Sequence, residues 1–330
     1  EALAGEKMSE EIKLQVTDEF HGVRLDAVLG GMIESHSRSA LRTLIDEGRV
    51  SVDGKVETKP SIKLSAGQEI TVLMKEPESL DALPEDLPLN IVYQDDDLIV
   101  INKPINFVVH PGAGIKNGTV MNAMLYHFPQ TATLPRAGIV HRLDKDTSGL
   151  MVIALTQVAQ HHLSKAIAKH LVVREYEAIV EGELTAGGTV DAPIGRDMNM
   201  RTRMAVMPEG MGREAVTHYR VMERFRAHTR LKLRLETGRT HQIRVHMASL
   251  HHPLLGDTQY GGRRIKHIAG ASLELDEALN NYRHQALHAS HIEFEHPVTK
   301  EIIGFDAPLP DEMTHLLDLL REDYEANGII

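Results

Sequence analysis

Gly138-Ile139-Val140-His141-Arg142-Leu143-Asp144-Lys145-Asp146-Thr147-Ser148-Gly149-Leu150 sets a carboxylate between two apolar runs, Ile139-Val140 before it and Leu150 to Ala154 after it. Short apolar runs of this kind read as buried strands, so Asp144 is expected where one strand ends, in a tight connection that Gly149 permits. A carboxylate at the end of a core strand is costly unless it is solvated, paired or used. Loops carried by a rigid sheet are also where working residues concentrate. Taken alone, Asp144 reads most simply as a turn or capping aspartate. A calcium loop is a second reading, since Asp144-x-Asp146-x-Ser148-Gly149 matches the first half of one. That loop needs a bidentate glutamate at its twelfth position. Here the position is Leu155, and no amphipathic helix precedes it, so calcium is rejected.

The bulk properties set wide bounds. A chain of 330 residues accommodates one large domain and a small one. Its 42% apolar and 25% charged residues are those of an ordinary globular protein. No run of 18 apolar residues offers a spanning helix. The glutamates at 1, 6, 10 and 11 argue against a secretory signal. Residues 1–7, ahead of Met8, read as an expression scar, and residues 1–17 as a flexible N-terminus. Absence of cysteine removes disulfides, thiolate zinc sites and the usual nucleobase deaminase zinc centre. The expected location is the cytoplasm. The net charge of -11 speaks against nucleic acid, but its distribution does not. Acids concentrate in 76–98 and 301–330, and setting those stretches aside leaves a positive remainder. Residues 201–246 carry eleven Arg or Lys against four Asp or Glu, a basic footprint on an acidic protein. The bland reading, a solvated strand face, stays open for Arg230, Lys232 and Arg234, which alternate with Leu231, Leu233 and Leu235.

In chain order, residues 18–75 form a compact module. Arg24-Leu25-Asp26-Ala27-Val28-Leu29 opens an amphipathic helix, and Ser37 to Ile45 is a second with Ser37 as cap. Gly48 to Val52 alternates as a strand before Asp53-Gly54, a strong hairpin signal. Glu69 to Leu73 closes the module. Residues 76–90, acidic and proline-bearing, read as a linker. Beyond 91, strands are expected at 91–93, 98–101, 172–181, 215–225, 229–236 and 288–294. Helices are expected at 120–128, from Thr156 to about 170, at 241–250 with Thr240 as cap, and at 308–326. Residues 193–214 read as a loop-rich insertion, and the segment 263–281, after Gly256-Asp257-x-x-Tyr260-Gly261-Gly262, as a mobile loop. Long strands, hairpins and few helices indicate α+β with a large, mostly antiparallel mixed sheet. Gly112, Gly114 and Gly118 lack the Gly-Lys-Ser/Thr of a nucleotide loop. His241 and His246, five apart, fall on different helix faces, and the twenty histidines form no defensible ligand cluster. No metal is expected.

Five elements then occur in one order: the 18–75 module, Asn102-Lys103-Pro104 with Val109-His110-Pro111, His141-Arg142-Leu143-Asp144, Arg174-Glu175-Tyr176, and Thr237-Gly238-Arg239-Thr240-His241-Gln242-Ile243-Arg244. The module resembles the S4 RNA-binding domain, and the combination is similar to the RluA family of RNA pseudouridine synthases. That resemblance implies the pseudouridine synthase fold over 91–326 and cleavage of the C1′–N1 bond of a uridine, rotation of the base and rejoining at C5. No redox step or energy input is involved, hence no cofactor, metal or small-molecule helper. It implies Asp144 as the catalytic carboxylate, acting as nucleophile, oxocarbenium stabiliser or proton carrier; the sequence leaves these routes open. Arg244 would pair with Asp144 and keep it ionised. Tyr176 would stack on the base, and Arg142 would fill the space left by the flipped uridine or hold a phosphate. Lys103, Pro104, His110, Leu143 and Gln242 would shape the pocket, while Arg38, Arg42, Arg49, Lys55 and Arg239 would contact the RNA. The implied partner is 23S (large-subunit) ribosomal RNA, in its helix 69 stem-loop, with no membrane involvement and a place in ribosome biogenesis. The competing readings are a sister synthase for other uridines of that RNA and a non-catalytic S4-type RNA-binding protein. A hydrolase built on Asp144 and Asp146 is disfavoured, because residues two apart cannot flank a scissile bond.

Overall fold

The computed structural model describes residues 11–33, 36, 38–74, 82–112, 114–261 and 267–328. Its first sheet is built from β1 (Glu11–Gln15), β2 (Val50–Val52), β3 (Lys55–Val56) and β4 (Glu69–Leu73), antiparallel in the order β1-β4-β2-β3. Helices α1 (Leu25–Met32) and α2 (Arg38–Asp46) cover it. Leu25, Val28 and Leu29 of α1 and Leu41, Leu44 and Ile45 of α2 share one core with Val50, Ile70 and Val72. Asp53 and Gly54 both take positive φ, 50° and 77°, the backbone a two-residue hairpin needs to follow the strand twist. One expectation fails here. Residues 11–15, assigned to a flexible N-terminus, pair with β4 along their whole length; alternating Ile12 and Leu14 give them an inner face that acidic neighbours disguise. Ser37, the expected cap of α2, lies outside the described residues.

The second sheet has nine strands. β5 (Ile91–Gln94), β6 (Leu98–Lys103), β7 (Ser148–Ala154), β8 (Val173–Glu181), β9 (Gly188–Asp191), β12 (Val216–Arg224), β13 (His228–Leu235) and β14 (Leu287–Glu295) run in the order β5-β6-β7-β14-β8-β13-β12-β9, and β15 (Ile302–Asp306) pairs with β14. Only the β7–β14 contact is parallel. This is the α+β, mostly antiparallel architecture expected. β6 and β7 are buried on both faces: Ile99, Ile101, Met151 and Ile153 enter one core, and Leu98, Val100, Leu150 and Val152 the other. Continuous apolar runs are the pattern such strands require. Helices α3 (Val120–His127) and α5 (Gln242–Ser249) lie over the first core, and α4 (Gln157–Ala168) over the second. α6 (Leu273–Asn281) and α7 (Asp311–Asn327) close a third cluster around Ile179 and Phe225.

Four local expectations are corrected. Ile139-Val140 is not a strand: a 3-10 turn ends at Gly138 and Ile139 makes a single bridge to Ile153. The loop-rich insertion contains a hairpin, β10 (Ile194–Arg196) with β11 (Met204–Val206). The segment 263–281 contains α6, whose N-terminus Ser272 caps by accepting from the Leu275 N–H. The second half of the linker is packed, with Leu87 and Leu89 against the main core, the Asn122 amide donating to the Leu83 carbonyl and the Glu85 N–H donating to Asn122. Acidic composition hid that anchoring, because the apolar residues occur singly.

Candidate active site

Two adjoining clefts of about 490 and 500 Å³ open on one side of the large sheet. Both are lined by Arg142, Leu143, Asp144, His241 and Arg244, so Asp144 stands on the divide between them. The His141–Thr147 loop that carries it enters β7 at Ser148. There β14 approaches so closely that a Cβ on Gly149 would stand 2.2 Å from the Ala289 carbonyl oxygen. Gly149 also has φ of 121°, which side-chain-bearing residues rarely adopt. The loop is tied down along its length. The Thr147 N–H donates to the Asp144 carbonyl (3.0 Å) and the Phe107 N–H to that of Lys145 (3.1 Å). Lys103 Nζ donates to the Pro104 and Lys145 carbonyls at 2.8 and 3.0 Å, and Gln285 Nε2 to Thr147 Oγ1 at 3.1 Å. Lys103 is only 1% exposed. Burial brings its pKa down to about 7 against the opposing pull of Asp144 and Asp146.

Arg244 Nη1 donates to Asp144 Oδ2 at 3.3 Å. Its Nε and Nη2 form a fork on Asp257, at 2.8 and 3.1 Å, and Nη2 also reaches Gln259 Oε1 at 3.2 Å. The guanidinium is 8% exposed and the Asp257 carboxylate 0%. Burial opposes the Arg244 charge, but Asp257, followed by Asp144, holds its pKa above the ordinary value. On the other carboxylate oxygen, His241 Nε2 lies 3.9 Å from Asp144 Oδ1. The Tyr260 hydroxyl oxygen accepts from the Met204 N–H and stands 2.7 Å from His241 Nδ1. A phenol that donates its proton to Nδ1 leaves the imidazole proton on Nε2, facing Asp144. Burial pushes the His241 pKa down despite Asp144, so the ring is neutral. His241 begins α5 with φ of 56° and no side-chain cap. The expected Thr240 cap is not formed, because this turn serves to aim the ring into the cleft.

The remaining expected residues distribute as follows. Tyr176 is buried in the wall of the first cleft, and burial raises its pKa. Arg142 is exposed and borders both clefts. Leu143 joins the main core beneath the loop. His110 lines the second cleft, where burial, then Arg136 and Arg142, brings its pKa down to about 4. Gln242 is a buried knot, accepting from Thr237 Oγ1 and the Arg239 N–H while donating to the Val216 carbonyl and Thr217 Oγ1. It fixes the turn that leads into α5. Lys103 and Pro104, expected on the wall, line neither cleft: Lys103 is buried beneath the loop that carries Asp144, and Pro104 is exposed. Arg239 borders the first cleft with Nε on the Glu214 carbonyl. Arg38, Arg42 and Lys55 are exposed on the small sheet's unit, and Arg49 pairs with Glu47 at 3.3 Å. The sequence alone assigns no role to Asp257, Tyr260 or His241. The signal for the first two is the Gly256-Asp257-x-x-Tyr260-Gly261 stretch, and for His241 its place inside the Thr237–Arg244 motif.

Asp95, Asp97 and His296 form a group that could hold a cation. His296 Nδ1 accepts from the N–H groups of Val298 and Thr299, so its proton is on Nε2, which donates to Asp95 at 2.7 Å. The same aspartate accepts from Tyr93 and from the N–H groups of Asp97 and Leu98. These donor atoms are engaged in closing the β5–β6 turn and do not fit a metal.

A carboxylate gripped by a guanidinium, a buried tyrosine ring in the same cleft and an arginine-rich lining mark these clefts as the candidate active site. Residues 97–249 match the family model for RNA pseudouridylate synthase, and residues 23–70 that for the S4 domain. The chain belongs to the RNA pseudouridylate synthase family. It is 54% identical over 325 residues to ribosomal large subunit pseudouridine synthase D of Vibrio vulnificus (strain CMCP6), covering 98% of this chain and 99% of that protein. Identity is 49% over 320 residues to the protein of the same name from Escherichia coli (strain K12), covering 96% and 97%. Among solved structures, it is similar to human RNA pseudouridylate synthase domain containing 4, with a TM-score of 0.55, 27% identity and coverage of 70% of this chain and 93% of that one. Among the described residues no helix is long and apolar enough to cross a membrane.

Proposed function

We propose that the protein isomerises specific uridines of 23S ribosomal RNA to pseudouridine, in the helix 69 stem-loop, with Asp144 as the catalytic carboxylate. The observation that carries this reading is the fixed approach of Arg244 to Asp144 Oδ2, which leaves Oδ1 turned to the cleft and to His241. The near-identical length and high identity of the synthase D relatives supply the substrate RNA.

In this reading residues 18–75, extended by the strand at 11–15, grip the RNA backbone through Arg38, Arg42, Arg49 and Lys55, residues 76–90 connect, and residues 91–326 perform the chemistry. Arg142 enters the helix as the uridine leaves it, and the Tyr176 ring receives the base. Asp144 then acts at C1′ or on a sugar proton while the freed uracil turns to present C5. Arg244 keeps the carboxylate charged, and the Nε2–H of His241 steadies it between those roles. The reaction is an isomerisation, so these side chains suffice without cofactor or metal. Ribosome assembly in the cytoplasm is the setting this substrate implies.

The test uses unmodified large-subunit RNA tritiated at uracil C5. Wild-type protein releases tritium, and the modified positions map to helix 69. Asp144→Asn releases none while binding RNA within a few fold of wild type; appreciable turnover by that variant would remove Asp144 from its role.

A further inference from the structure

Arg174 opens the Arg174-Glu175-Tyr176 motif, and the mechanism above does not use it. It lies two residues before Tyr176 on β8, hence on the same face, and borders the same cleft. It is 8% exposed. Its side chain has no hydrogen bond or ion pair with the described residues, and its Nε is sealed from solvent without a partner. Buried charges in proteins are paired. The other arginines here show the contrast, for Arg244 holds two carboxylates and Arg239 a carbonyl.

Among the described residues the cleft wall supplies no free counter-charge. The cleft is lined by six arginines and one carboxylate, Asp144, which Arg244 already holds. His141 also borders it. Its Nε2 accepts from the Val152 N–H, so the proton sits on Nδ1, a second buried donor without a partner. Burial, then Arg174, pushes the His141 pKa down to about 3, so the ring is neutral and brings no charge of its own. The guanidinium rests on the backbone of Gly238, where a Cβ would stand 2.6 Å from Nη1. A glycine in the 237–242 turn therefore makes room for this charge.

We infer that Arg174 binds a phosphodiester of the RNA strand next to the uridine held at Asp144. The missing partner must be anionic and must arrive with the ligand. A guanidinium fork suits phosphate oxygens, whereas a uracil carbonyl would meet one N–H and leave the charge unbalanced. Arg174 and Tyr176 would then hold one nucleotide together, phosphate and base, from a single strand face. This deepens the proposed function and rests on it.

The test measures the affinity of full-length protein for helix 69 stem-loops carrying one uncharged methylphosphonate at a time around the target uridine. One linkage should weaken wild type by about tenfold or more, the scale of a charge-assisted contact. Arg174→Met should lose a similar factor, and the two changes together should be no worse than either. Equal affinity for Arg174→Met and wild type, or losses that multiply at every linkage, overturns the proposal. Coupling to 4-thiouridine at the target in place of a linkage also overturns it, by pointing to a base carbonyl. Arg174→Met loses an unpaired buried charge, so the free protein should melt no lower than wild type. If it does melt lower, Gly238→Ala decides: it keeps the charge but crowds the guanidinium, and unchanged sensitivity to every linkage then sinks the idea. Tritium release by wild type is read separately. Coupling at a linkage without release would refute the isomerase reading and leave the phosphate subsite standing.

Discussion

Removing the Arg244 guanidinium should cost the protein stability and activity by separable routes. In Arg244→Met the Asp257 carboxylate, 0% exposed, loses both arms of its fork and keeps only the N–H groups of Gln259 and Tyr260, at 3.0 and 3.1 Å. Stranding one member of a buried ion pair costs roughly 3–5 kcal/mol. Adding Asp257→Asn removes the stranded charge while its side-chain oxygen still accepts from those N–H groups. The double variant should therefore recover about 2 kcal/mol or more of the loss, within the coupling range for contacting residues. Turnover should not return, because Asp144 Oδ2 still lacks its donor. Urea unfolding followed by circular dichroism reads the first effect and tritium release the second. If the double variant is no more stable than Arg244→Met, the fork is not what holds Arg244. If it regains turnover, Arg244 acts through Asp257 and not on Asp144.

Acid should weaken the fold earlier than carboxylate protonation requires. Burial pushes His110 down to about 4 and His141 down to about 3, against about 6.5 in an unfolded chain. The unfolded state thus binds more protons below pH 6.5, so stability is full above that pH, falls as pH drops to about 4, and for His141 keeps falling to about 3. His141→Gln should show a shallower loss between pH 7 and pH 5 in chemical denaturation; an unchanged slope would contradict the burial argument. Arg38→Gln with Arg42→Gln should weaken RNA binding and lower the slope of log K against log salt by roughly 0.7–0.9 per lost phosphate contact; an unaltered slope would take α2 off the RNA. EDTA should leave the tritium release rate unchanged, and strong inhibition would reveal a metal that the Asp95 hydrogen bonds argue against.

Legibility followed periodicity and motif density. β7, buried at every residue, and β13, alternating Leu231, Leu233 and Leu235 with charges, were readable because apolar spacing reports burial directly. β1 and α6 were not, since their inner faces rest on two or three apolar residues among acids. The Asp144–Arg244 pair was legible through the family resemblance, being brought together from 100 positions apart. Asp257 and Tyr260 stand in a conspicuous glycine-flanked stretch that by itself carries no role. A buried acid and a hydroxyl show their purpose only when the arginine and histidine they orient are seen beside them.

The overall charge of -11 misleads about RNA because charge acts locally. Much of the acid is already matched. Glu177 and Glu223 face Arg230, Glu175 faces Lys232, and Asp323 and Glu223 grip Arg226 and Arg321. Asp311 and Glu312 stand in the first turn of α7, where negative charge favours the helix dipole. The wall of the first cleft carries six arginines against one carboxylate, and at physiological salt charges much beyond about 8 Å from a phosphate are screened. That carboxylate is itself bound to one of the arginines, so in the proposed function the field at the strand would stay attractive while the group offered to C1′ stays negative. Keeping a bare carboxylate in a polyanion's binding site requires an arrangement of this kind. In the proposed function Arg244 would shield Asp144 from phosphate repulsion through Oδ2 and leave Oδ1 to the cleft, which a lysine with a single pivoting charge, unable to fork onto Asp257, would not secure.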